Sequence, residues 1–231
     1  FIFGLLISYE QGTPLRIGQE ANSIDFIILL AVGLRLGVIP FNLPFVSGSP
    51  IRRGLGNSIR MVSVATSMIV LLRLPMGTFD ERAQGILLTL TVVGILFGAI
   101  MWYGSPSELE GRPYWIITMA GLAIYSSLNG NLIATLAWTL ALILSGSVLF
   151  LFSARGRKLT ILPLLAIIGV TGLPFTPTVI GWQGIISAGG SFRNILMILS
   201  VSIIILGYLR HATLSDTLLS QKEKWIWLTY P

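Results

Sequence analysis

Residues 166–184 read AIIGVTGLPFTPTVIGWQG, and residues 31–46 read AVGLRLGVIPFNLPFV. Each is an apolar run in which Pro-Phe is followed shortly by a second proline: Pro174 and Pro177 in one, Pro40 and Pro44 in the other. Proline removes a backbone donor and pushes against the preceding helical turn. In hydrocarbon, a freed carbonyl must find its partner within protein or in a water-filled cavity. If these runs cross a bilayer, both helices break inside it and turn the break away from lipid.

The rest of the chain supports a bilayer. Of its 231 residues, 54% are apolar and 10% are charged. Soluble domains carry about 25% charged residues. The mean hydropathy is +0.84, which excludes a two-domain soluble enzyme. Cys is absent and His211 is the single histidine, so a disulfide framework and a Cys- or His-based metal cluster are excluded. The net charge of +6 is spread thinly between apolar runs. That is the pattern of membrane loops and not of a nucleic-acid surface. The expected fold is all-α, a polytopic transmembrane helix bundle.

Seven spans are expected: 24–45, 57–74, 85–103, 114–128, 132–152, 159–187 and 194–209. Ahead of them, FIFGLLISY (residues 1–9) is too short to cross, since a span needs about 20 residues. It reads as the tail of a helix that begins earlier, and the chain as a portion of a longer protein. Residues 1–211 form one membrane domain. Residues 212–231, with Trp225, Trp227 and Tyr230 among Lys222, Glu223 and Lys224, read as an interfacial tail or a docking segment.

Basic residues sort by side. Arg52, Arg53, Arg60, Arg112, Arg155, Arg157, Lys158, Arg210, Lys222 and Lys224 fall on one side; Arg16, Arg73, Arg82 and Arg193 fall on the other. The positive-inside rule places the first group and the C-terminus on the cytoplasmic or matrix side. A bacterial and a mitochondrial inner membrane both fit. Trp102, Tyr103, Tyr114, Trp115 and Tyr208 stand where a headgroup belt is expected. Gly33/Gly37 and Gly94/Gly98 have the small-xxx-small spacing of close helix packing.

The two broken runs lie five spans apart, so they run in opposite directions. Paired broken helices of opposite orientation are the mark of an inverted-repeat transporter, and the local sequences PFNLP and PFTP match. The bland reading is two unrelated proline kinks.

Three stretches, in order, carry a resemblance. GLRLGVIPFNLPFV (33–46) leads through a basic loop into SVATSMIVLLRL (63–74). GILFGAIMWYGSPSELEGRPYW (94–115) and GVTGLPFTPTVIGWQG (169–184) follow. Together they resemble the antiporter-like membrane subunits of respiratory complex I and the related Mrp-type cation/proton antiporters, from about residue 24 to 209. The resemblance implies inverted five-helix repeats, of which this chain would hold the end of the first and the whole of the second. It also implies partner membrane subunits in a multi-subunit respiratory complex, and lipid around them.

The departures from that pattern concern the mid-membrane proton relay. The broken-helix Lys is matched by Arg35 and the nearby His by Asn42. The Lys of the next helix is matched by Ala65, a later His by Trp138, and the Lys or Glu of the second broken helix by Trp182. The family's D-x-K-R turn is replaced by Ser107-Glu108-Leu109-Glu110. Arg stays protonated at physiological pH, and Asn, Ala and Trp do not titrate there, so the relay is expected to be largely lost. An intramembrane charge costs at least about 2.5 kcal/mol on insertion scales and persists for function. Arg35 therefore reads either as a fixed cation facing an anion or a neighbour's relay, or as a donor to carbonyls freed at Pro40. Trp138 and Trp182 read as plugs. Thr176, Thr178 and Gln183 read as partners for the broken backbone, and Glu108 and Glu110 as solvated.

Three functions are left open. The first is an antiporter-like subunit of a complex I-type NADH/quinone oxidoreductase, structural or a sealed half-channel, with no catalytic chemistry, cofactor or metal of its own. The second is a stand-alone Mrp-like or bicarbonate-type transporter using Arg35. The third is a purely structural membrane subunit.

Overall fold

The computed structural model describes residues 22–39, 53–74, 81–152, 161–187 and 191–213. Among them the chain is entirely helical: α1 Asn22–Leu36, α2 Arg53–Leu72, α3 Glu81–Gly104, α4 Glu108–Leu128, α5 Leu132–Phe152, α6 Ile161–Val170, α7 Thr178–Ser187 and α8 Ser191–Thr213. Three stretches are long and apolar enough to cross a membrane: Arg82–Gly104, Leu132–Phe150 and Phe192–His211. Phe26–Leu36 and Ser58–Leu72 are shorter apolar helices.

The outward faces show what surrounds the bundle. On α3, Ile86, Leu90, Val93, Phe97 and Ile100 are exposed; on α5, Ile133, Leu136, Leu140 and Leu144 are. These are steps of three and four, a single apolar stripe on each helix. A stripe of that size in water is a liability; against acyl chains it is the expected solvent-facing surface.

α4 is the hub. It touches α1, α2, α3, α5, α7 and α8, and from Gly111 to Leu128 only Tyr114 is partly exposed. A helix walled in by protein can carry polar residues that a lipid-facing one cannot. Thr118, Ser126, Ser127 and Arg112 are all buried on it. The helix also begins earlier than the span expected at 114–128. Ser107 caps it, accepting from the Glu110 amide at 3.3 Å. Ser107-x-x-Glu110 has the sequence of a capping box, and residues 107–110 are a helix start.

α3 and α4 meet closely. A Cβ on Gly98 would lie 2.4 Å from Thr118 Oγ1, and one on Gly121 would lie 2.4 Å from Ile95 Cγ1. Thr118 Oγ1 donates to the Ile95 carbonyl at 3.3 Å across that seam. Gly98 thus fills the packing role its spacing suggested.

Several expectations need correction. Gly37 serves as a helix cap: it has φ 77° and ends α1. Val38 N–H donates to Gly33 O at 2.9 Å and Gly37 N–H to Leu34 O at 3.2 Å, the paired bonds of a Schellman cap. α1 therefore stops at Leu36, well short of Phe45. Trp102, Trp115 and Tyr208 are buried inside the bundle and form no headgroup belt, whereas Tyr103 is exposed. Arg112 is a buried helix residue, not a loop cation. The expectations for Pro40, Asn42 and Pro44, for residues 1–9 and for residues 214–231 lie outside the described residues.

Candidate functional site

The span expected at 159–187 is two short helices. α6 ends at Val170, residues 171–177 are turns and bends, and α7 begins at Thr178. The depth of this interruption follows from what each side touches on α5. Gly169 lies against Ser145, Gly181 against Trp138, and Gly184 against Ala134 and Asn131. The interruption therefore faces α5 between Trp138 and Ser145, around the middle of Leu132–Phe152.

Its polar groups are closed largely by one hydroxyl. Gly172 has φ 75° and takes the position a helix-ending glycine holds. In a Schellman cap its N–H would bond the Gly169 carbonyl. Here Thr178 Oγ1 stands between them: it accepts from Gly172 N–H at 3.1 Å and donates to Gly169 O at 2.9 Å. Thr176 Oγ1 lies 2.9 Å from Thr178 Oγ1 and 2.7 Å from Leu173 O, to which it donates. Thr178 is fully buried. Both threonines serve the broken backbone, while Gln183 is exposed.

Two tryptophans fill the inner side of the break. Trp138 is fully buried and Trp182 half-buried. Their rings are 5.6 Å apart at 77°, an edge-to-face pair. The glycines make room: a Cβ on Gly181 would meet the Trp138 ring at 2.7 Å, and one on Gly172 would meet Trp182 Cδ1 at 2.4 Å. Trp138 Nε1 is buried with no hydrogen-bond partner among the described residues. Of Ala65, Trp138 and Trp182, singled out together in the sequence, the two tryptophans are thus brought together as one aromatic block.

Arg35 lies elsewhere, in the last turn of α1. Its Nε and Nη2 donate to Ser63 Oγ at 3.3 and 3.1 Å. Ser63 is near the middle of α2, which sets the guanidinium at that helix's half-height. Ser67 Oγ and Thr66 Oγ1 both donate to the Ser63 carbonyl, at 3.1 and 2.9 Å. Ala65 is half-buried beside them. Arg35 is itself exposed, so one side of the guanidinium is held by a hydroxyl and the other is open.

A second polar cluster went unnoticed in the sequence. Arg210 Nη1 donates to the carbonyls of Tyr103 and, at 3.1 Å, Ser105, and its guanidinium carbon is 5.5 Å from the Tyr103 ring centroid. A cation at the C-terminal carbonyls of α3 suits the helix dipole. His211 Nε2 is 3.2 Å from both Ser105 Oγ and Trp102 O. A carbonyl only accepts, so Nε2 carries the proton in that bond. Trp102 Nε1 donates to Ile204 O at 3.3 Å. Glu108 lies one turn before the buried Arg112, at the same end of the bundle. The available signal was Arg210-His211 at the close of an apolar run. No group of three or more His, Cys, Asp or Glu gathers as a metal site among the described residues.

No protein-family model matches the chain, and none of the curated proteins compared with it matches either.

Proposed function

We propose that the chain is an antiporter-like integral membrane subunit of a complex I-type NADH/quinone oxidoreductase assembly, acting as scaffold and as a sealed half-channel. On this reading, α6 and α7 are the two arms of a proline-broken helix, the counterpart of a break at Pro40–Pro44 in an inverted repeat. The observation that carries it is the Trp138–Trp182 pair. A helix interrupted at mid-height is expensive unless the opening serves something. Here the opening is retained, two of its backbone groups are bonded by Thr178, and two indoles that cannot hold a proton pack against it. The order of the three resembling stretches adds the family; the permanently charged Arg35, at the position of a titratable Lys, adds the loss of conduction.

The test is purification from native membranes in mild detergent, with mass spectrometry of the recovered assembly. Co-purification with flavin- and iron–sulfur-containing chains and with other antiporter-like chains supports the assignment. Recovery of this chain alone overturns it.

The open side of Arg35 favours a second reading, a stand-alone carrier of a small anion such as bicarbonate. In proteoliposomes, anion flux abolished by Arg35→Ala supports that reading, and no flux above empty vesicles removes it.

A further inference from the structure

We draw no further inference here: the strongest candidate, the exposed apolar patch Leu173–Phe175 at the interruption between α6 and α7, where Phe175 takes φ 72°, carries none because nothing in the structure shows what covers it.

Discussion

At the residue scale, one hydroxyl carries the interruption between α6 and α7. Thr178 Oγ1 bridges Gly172 N–H and Gly169 O from a fully buried position. Thr178→Val keeps the shape and deletes both bonds, leaving the half-buried Gly172 N–H and Gly169 O without that partner. The expected cost is about 1–3 kcal/mol, read as a lowered thermal midpoint in detergent, while Thr178→Ser stays close to the parent. Gly172→Ala should be at least as damaging. It imposes about 1–2 kcal/mol for a β-carbon in the left-handed region, and that carbon would lie 2.4 Å from Trp182 Cδ1. An equal stability for Gly172→Ala and the parent would show that neither the positive φ nor the Trp182 contact constrains this position. The roles of Thr176 and Thr178 could be read from the sequence, because hydroxyls beside paired prolines have freed backbone to serve. The bridge itself could not, because it depends on which two turns the break brings face to face.

At the scale of elements, α3 and α4 are held by absent side chains. Gly98 lets the Tyr114–Thr118 turn approach, so that Thr118 reaches the Ile95 carbonyl. Gly98→Ile is expected to push the helices apart, at a cost of about 1–3 kcal/mol for overpacking beyond the lost Thr118 bond. Gly85→Ala, where a β-carbon would meet nothing within 4 Å, is the matched control. A difference in urea or thermal unfolding between the two variants measures the seam. The apolar runs made most helices legible, since 3.6-residue periodicity and turn residues survive without tertiary context. Helix ends were less so. Gly33-x-x-x-Gly37 has the spacing of a packing motif, yet Gly37 is a cap, because φ 77° is invisible in a residue name. Trp102, Trp115 and Tyr208 lie near span ends as belt aromatics do, and only the arrangement of α3, α4, α5 and α8 turns them inward. Arg112 misled for the same reason: its helix begins at Glu108 and not at Tyr114. Trp138 and Trp182 were singled out through the resemblance, and the sequence placed them on separate spans without revealing that they touch.

At the scale of the whole molecule, the question is whether a bundle with a helix interrupted at mid-height conducts. An open break would expose α5 between Trp138 and Ser145 and give water a foothold beside Ser145 and Thr176. Against that, Trp138 is fully buried, Trp182 lies edge-to-face on it, and glycines 172 and 181 let both rings pack flush. Full burial of an indole such as Trp138 removes roughly 150–250 Å² of surface from solvent, while Trp182 is half-buried, so closure of the break depends on few side chains. In proteoliposomes carrying a pH-sensitive dye, the parent chain is expected to be as tight to protons as empty vesicles. Trp138→Ala combined with Trp182→Ala opens a void next to backbone already released from helical bonding, and proton leak should rise well above the parent. Trp115→Ala creates a void of similar size against Phe150 and Gly146 and should destabilise without leaking. Leak in all three would mean that any loosening of the bundle admits protons. Leak in the double variant alone assigns the barrier to the two tryptophans. A parent that already leaks would place conduction along a route these indoles do not guard, with Arg35 and the Ser63–Ser67 hydroxyls the next positions to alter.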